Sequence, residues 1–378
     1  MRGLRVGLNL TYLVPGETGG SETYARMLVP ALARERPDLR LTAFVSSELG
    51  DELRQTPWDA PLGVVVLPVS GRTRARRGLA EQALLPRAVR RAGVDLVHSL
   101  ASTAPLRLPV PGVLTVLDLI YASLPETHPG FLRYGMRLIV PASARRSQRV
   151  IAISEHTRQE LIARLGLRPD TVDAVALGPG ADPGVEPTAE PELRTRFALG
   201  AGPIVLSVSA HRPHKNLERL IDAVAALDVS PAPVLVLPGY PAAHDRVLVE
   251  RAHAAGVADR VRLLGWVDAA DLEGLYRAAT CLAFPSLAEG FGLPVLEAMR
   301  RGVPVACADA TSLPEVAGDA ALLFDPTSVP ELSSALQRLL TDPSLRATLS
   351  KRGCARAAQF SWAATARGTL RSYARALG

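Results

Sequence analysis

Two hydrophobic rhythms alternate along this chain. One is a set of short, largely apolar runs at 4–10, 41–45, 63–67, 94–98, 113–116, 149–153 and 171–175. A second set follows at 204–209, 234–238, 259–267, 281–284 and 303–306. Runs of four to eight apolar residues bounded by Gly, Pro and polar clusters predict buried strands. The other rhythm is helical. Leu217, Leu220, Ile221 and Val224 repeat at i, i+3, i+4 and i+7 behind Asn216, a predicted N-cap. Ser21 is read as the N-cap of a helix reaching about Glu35, with Glu22 in its first turn, and Ser154 as the cap of the helix after 149–153. Pro294 suits a first helical position, Arg300 and Arg301 a last turn, and Gly302 a left-handed cap. Stretches 330–341, 344–357 and 361–376, the last behind Ser361, predict three closing helices, and Leu272, Leu275 and Tyr276 read as core packing. Strand and helix alternating in this way predict an α/β fold of βαβ units.

The Gly-, Pro- and acid-rich stretch 177–192 reads as a linker, and 378 residues suffice for two domains, 1–184 and 185–378. The 361–376 helix is a candidate to cross back onto the first domain. With 48% apolar residues the chain can fill two cores. Three cysteines make no paired framework; Cys281 and Cys307 sit in apolar strands, as suits a reducing cytosol. The chain enters a strand without a leader-like segment, and no apolar run approaches the roughly 18 residues of a membrane span. A cytoplasmic protein is therefore expected, at most peripheral to the inner face of a membrane.

Charge refines this picture. Residues 1–184 hold 23 arginines against 17 acids, whereas the second half balances, so the net +6 lies in the first domain. Seven of those arginines fall within 70–93, SGRTRARRGLAEQALLPRAVRRAG. They suit a solvated helix face or contact with anionic lipid; without interleaved aromatics they do not suit nucleic acid. Only two lysines occur among the 43 basic residues, which singles out Lys215.

Candidate chemistry gathers at strand ends. The densest stretch is CLAFPSLAEGFGLPVLEAMRRGVPVACADATSLPEVAGDAALLFD, 281–325. Glu289 lies in its glycine-bearing loop, and Glu297 lies eight positions on, inside the helix. The N–H groups of Phe291, Gly292 and Leu293 lie at or just before the positive end of that helix, where an anion or sugar hydroxyls are favoured. The loop 209–215 carries His211, Arg212, His214 and Lys215 at a strand's C-terminal end, where open α/β sheets bind ligands. Gly19 and Gly20 follow the first strand in a flexible loop that lacks G-x-G-x-x-G spacing.

The run E-G-F-G-L-P-V-L-E-A, Glu289 to Ala298, resembles the E-x7-E signature of the retaining glycosyltransferases of family 4, and DATSLPEVAGDAALLFDP at 309–326 is similar to that family too. The resemblance implies the GT-B fold: two doubly wound, Rossmann-like domains facing each other across a cleft. It implies that Glu297 bonds the donor ribose and that Glu289 faces the transferred sugar. The amides of Phe291, Gly292 and Leu293 would surround sugar and phosphates, with Gly290 in the same donor-binding loop. Lys215, beside Asn216 in a phosphate-type loop, would pair with the pyrophosphate, with Arg212 in support. Gly19 and Gly20 would face the donor phosphates, and Gly265, Trp266 and Val267 would hold the base through the main chain. TVLDLIY resembles the family's strand-end T-x-H-D-L: Asp118 is kept, but the family's histidine is Leu117 here. His98 and His128 are the candidates to replace it.

The expectation is thus transfer of a hexose such as mannose or glucose from a nucleotide sugar to a sugar, glycolipid or small-molecule hydroxyl, with retention. The setting would be glycan, glycolipid or secondary-metabolite biosynthesis. Without Asp-x-Asp or a histidine cluster no metal or cofactor is expected. Two rivals stand: a binding or regulatory subunit that lost catalysis, motivated by Leu117, and a nucleotide-sugar epimerase on the same architecture.

Overall fold

The computed structural model describes residues 3–124, 131–180, 184–240 and 243–378, and of 74–75 and 131–134 the backbone alone. Seven strands, β1 (Arg5–Leu10), β2 (Arg40–Val45), β3 (Leu62–Val66), β4 (Leu96–Ser99), β5 (Gly112–Val116), β6 (Arg149–Ala152) and β7 (Val172–Ala174), form one sheet in the order β3-β2-β1-β4-β5-β6-β7. Six more, β8 (Ile204–Leu206), β9 (Val234–Pro238), β10 (Val261–Gly265), β11 (Cys281–Phe284), β12 (Val305–Ala308) and β13 (Ala321–Phe324), form a second in the order β10-β9-β8-β11-β12-β13. The pairings in both are parallel.

Unbroken apolar runs are what such sheets require, because helices cover both faces of each strand. β4, β5, β8, β11 and β12 are accordingly buried at every position. At the edge, β3 exposes Val64 and Val66. In each sheet the strand order reverses beside its first strand, between β1 and β4 and between β8 and β11. The loops leaving those strands diverge at their C-terminal ends and open a crevice, the place where doubly wound sheets take ligands.

The chain divides into two compact units, residues 1–178 with 360–378, and residues 179–359. The Trp362–Leu377 helix belongs with the first: Tyr373 and Thr365 bond His98 and the Ala176 carbonyl. The division at Gly178 precedes the expected boundary of 184/185, and the linker is shorter than 177–192. Thr188 is already part of the second unit, its N–H on the Ala270 carbonyl at 3.1 Å and its hydroxyl on Asp271 at 2.6 Å. A helix, Glu190–Arg196, begins inside the stretch read as linker.

Two caps differ from expectation. The first helix is Gly20–Glu35 with Gly19 as its N-cap, so Ser21 falls inside the first turn and its hydroxyl donates to the Thr18 carbonyl instead. Asn216 does precede Leu217–Ala225, but in a left-handed conformation and without capping through its side chain. Its amide nitrogen instead donates to the Pro285 and Pro326 carbonyls, tying the loop after β8 to the loops after β11 and β13.

Candidate active site

The second unit gathers most of the expected residues at its switch point. β8 delivers the loop through Arg212 and a turn of 3-10 helix, Pro213–Lys215; β11 delivers the loop carrying Glu289. Between them, Lys215 Nζ lies 2.5 Å from Glu289 Oε1. Both side chains are largely but incompletely covered, at 16% and 12% exposure. The lysine also sits 5.7 Å over the Phe284 ring, where the aromatic face favours a cation. The main chain of the Glu289 loop is held from behind. Thr311 Oγ1 accepts from the Glu289 N–H, and Ser312 Oγ donates to the Glu289 and Phe291 carbonyls. Leu287 N–H and Ser286 Oγ both reach the His214 carbonyl, so the two loops are one hydrogen-bonded body.

The Leu293–Arg300 helix starts at Gly292, whose φ of 112° is open only to glycine without strain, and no side chain caps it. A side chain there would also meet Leu313 at 2.7 Å. Phe291 is buried, while Leu293 and Pro294 remain partly exposed at the helix's positive end. Gly290 is covered within the same loop. Glu297, one turn in, is partly buried. Its Oε2 accepts from the Tyr276 hydroxyl at 2.9 Å. Burial pushes its carboxyl above the usual range, against the opposing pull of Tyr276 and Arg301.

Around these groups the loop residues have separate tasks. His211 is fixed by Asp245 at 2.9 Å and the Leu237 carbonyl, so it is a buttress, whereas Arg212 is exposed. β10 ends at Gly265, whose carbonyl takes the Gly239 N–H at 2.8 Å. Trp266 is 66% exposed and stacks on Tyr240 at 4.6 Å, and Val267 is partly buried beside it.

In the first unit the crevice loops are polar. Gly19 and Gly20 end the loop after β1, and a methyl group on either would meet nothing within 4 Å, so the space beside them is open. Glu22 shapes that loop by accepting from the Gly16 N–H at 3.0 Å, with Arg26 bridging Glu22 and Glu52. Asp118 follows β5 and accepts from the Ile120 N–H at 3.0 Å. Leu117 is partly buried beside it, its N–H on Ser102 Oγ.

His98 does not take the missing histidine's place. The imidazole is fully buried, with Nδ1 2.8 Å from the Tyr373 hydroxyl and Nε2 2.7 Å from Thr115 Oγ1, which also meets the Tyr24 hydroxyl. Burial lowers its pKa to about 3, so it is a neutral core group that joins the terminal helix to the sheet. The alternation of side chains along β4 explains this: His98 points to the face covered by the Trp362–Leu377 helix, while Ser99 points to the opposite face, toward Asn9. His128 lies outside the described residues.

Three groups went unread in the sequence. Tyr276 looked like packing and is, but its hydroxyl also meets Glu297. Thr311 and Ser312 brace the Glu289 loop. Glu81, within the arginine run, is buried against Asn9 and Thr103, and burial pushes its carboxyl up. Only the last left a signal: one acid among seven arginines. Cys281 and Cys307 are buried, which raises both thiols to about 12. Among the described residues no group of three His, Cys, Asp or Glu side chains is placed to hold a metal ion, and no helix is long and apolar enough to cross a membrane.

Comparison with known proteins agrees with this geometry. Residues 191–356 match the family described as glycosyl transferases group 1, and residues 18–178 match glycosyltransferase family 4. The structure is similar to that of Anabaena HepE, solved with UDP and glucose: the TM-score is 0.75 at 22% identity, over 98% of this chain and 99% of that one. Two parallel α/β units of this kind, with this likeness, place the structure in the GT-B fold class. The chain is 35% identical over 266 residues to the O-antigen chain mannosyltransferase B of Escherichia coli, covering 69% of each. It is 34% identical over 301 residues to a D-inositol 3-phosphate glycosyltransferase of Frankia alni, covering 76% of this chain and 70% of that protein. The chain belongs to the group 1, family 4 glycosyltransferases.

Proposed function

We propose that the protein moves a hexose, mannose or glucose, from a nucleotide sugar to an acceptor hydroxyl with retention and without a metal. The observation that carries this is the Lys215–Glu289 pair at the switch point, in the loop that leads into the helix carrying Glu297. A donor brings its own anion. Its pyrophosphate takes the Lys215 ammonium, and Glu289, released from the lysine, accepts from hydroxyls of the transferred sugar. Glu297 accepts from the ribose, and Gly265, Trp266 and Val267 border the base. As the anomeric carbon–oxygen bond breaks, charge gathers on the leaving phosphate, where Lys215, Arg212 and the helix N-terminus stabilise it. The acceptor oxygen bonds the anomeric carbon from the same face, and its proton passes to the leaving phosphate. A relative named as a mannosyltransferase and a fold neighbour solved with UDP and glucose support the choice of hexose.

Nuclear magnetic resonance of the product from UDP- and GDP-hexoses tests this. An anomeric coupling matching the donor's is expected; the opposite anomer overturns retention, and an interconverted donor points to an epimerase. Peripheral contact with anionic lipid through the first unit belongs to the same proposal. Leu79 and Leu138 are 72% and 75% exposed, Arg76 and Arg137 on the same two helices are exposed too, and both helices bond the Ala104 carbonyl. Binding to phosphatidylglycerol vesicles but not to phosphatidylcholine vesicles is expected, and equal binding overturns it.

A further inference from the structure

Glu297 is backed by a layer of polar and aromatic side chains. Tyr276, on the Ala269–Ala278 helix, is 1% exposed and donates its hydroxyl to Glu297 Oε2 at 2.9 Å. The Arg301 guanidinium lies 4.7 Å from the Tyr276 ring centroid. That guanidinium pairs with Glu273 at 2.6 Å and donates to the Glu297 main-chain carbonyl at 3.0 Å. On the other side is Gly180, its carbonyl 3.4 Å from an Arg300 guanidinium nitrogen. A methyl group at Gly180 would come within 1.8 Å of Glu297 Oε1, so the glycine is what leaves that oxygen its space.

A glutamate has three side-chain torsions, and in a helix nothing intrinsic selects the one that aims it at a ligand. Here one carboxylate oxygen is tied down by a buried hydroxyl and the other is left toward Gly180. We infer that Tyr276 is a positioning residue for the donor site: its hydroxyl fixes the Glu297 carboxylate in one orientation, so that ribose hydroxyls meet a preset acceptor. This rests on the proposal that Glu297 takes the ribose.

The arrangement also bears on charge. The groups facing Glu297 are Arg301 and Arg300 on its own helix, and Glu273 and Tyr276 on the neighbouring one. Burial and Glu273 favour the protonated acid, whereas Tyr276 and the two arginines favour the carboxylate. Removing the Tyr276 hydroxyl therefore moves the Glu297 pKa further up. Binding that needs the carboxylate is lost as pH falls through that value, so its acid limb moves to higher pH.

The test is calorimetry on the full chain with UDP and GDP, and with their 2′,3′-dideoxy analogues, across pH 5–8. Tyr276→Phe keeps the ring under Arg301 and removes only the hydroxyl. It is expected to weaken the diphosphates about 5- to 10-fold at neutral pH. It should also shift the acid limb upward and leave the dideoxy analogues bound as in the parent. Equal loss for both kinds of ligand, or no loss while Glu297→Gln does weaken binding, overturns the positioning role and leaves the ribose reading standing. Undiminished binding by Glu297→Gln sinks the ribose reading itself and this inference with it. Gly180→Ala, whose methyl displaces the carboxylate from the other side, should reproduce the ribose-selective loss even if Tyr276→Phe does not fold.

Discussion

The two sheets reverse their strand order at equivalent places, yet they use titratable groups in opposite ways. On β4 of the first unit, His98 is sealed in the core with both ring nitrogens bonded, and burial keeps it neutral. After β11 of the second, Glu289 and Lys215 are held by each other, at a loop edge where part of each side chain meets solvent. A group whose partners are all in the core has nothing left to offer a ligand. A pair whose members satisfy only one another can trade partners when an anion arrives. The count of satisfied bonds and the remaining exposure, rather than residue type, separate the two.

That contrast can be broken most forcefully at Lys215. Lys215→Ala removes the charge facing the leaving phosphate, a loss typical of electrostatic stabilisers at about 100- to 1000-fold in kcat. Steady-state turnover with the preferred nucleotide sugar measures it, and a fall of less than about threefold would place Lys215 outside the reaction. Glu289→Gln should also cut turnover while nucleoside diphosphate binding holds. Glu297→Gln comes next: losing charge-assisted hydrogen bonds costs about 1.5–3 kcal/mol, roughly 10- to 150-fold in diphosphate affinity. Acceptor KM should scarcely move.

His98 should answer to stability, not rate. Its folded pKa of about 3 lies below the ordinary value of 6.5, so below pH 6.5 the unfolded chain binds more protons and stability is lost as pH falls. Between pH 7 and 5 the loss from this group is on the order of 2 kcal/mol. Urea unfolding of His98→Gln should lack that slope, while turnover per folded molecule stays at the parent level. A rate loss at equal folding would return His98 to the reaction. The smallest effect is expected from chelation: activity in excess EDTA should match the untreated enzyme, and a loss restored by magnesium or manganese sinks metal independence.

Much of this was legible because it depends on local pattern. Buried parallel strands announce themselves as short, mainly apolar runs, and the Glu289–Glu297 stretch carries its strand, turn and helix within a few residues of sequence. Long-range pairings left no such trace. The Lys215–Glu289 contact spans 74 positions and the His98–Tyr373 contact spans 275. Nothing local in 94–98 tells which face of β4 the imidazole takes, and nothing local at Tyr276 tells that its hydroxyl meets a carboxylate. Ser154 and Ser361 cap their helices as expected, whereas Asn216 is drawn away from its own helix by carbonyls of two distant loops.

The Trp266–Tyr240 stack gives the second unit an optical signature. The chain has three tryptophans; Trp58 and Trp362 belong to the first unit, and Trp266 alone to the second. An indole two-thirds exposed to water emits at longer wavelength than the largely buried Trp362 and is open to collisional quenchers. The red edge of the emission spectrum is therefore weighted toward the loop beyond β10, with the half-buried Trp58 as the other contributor. A ligand that settles against that loop will be visible as a change in its colour and quenching, without any label.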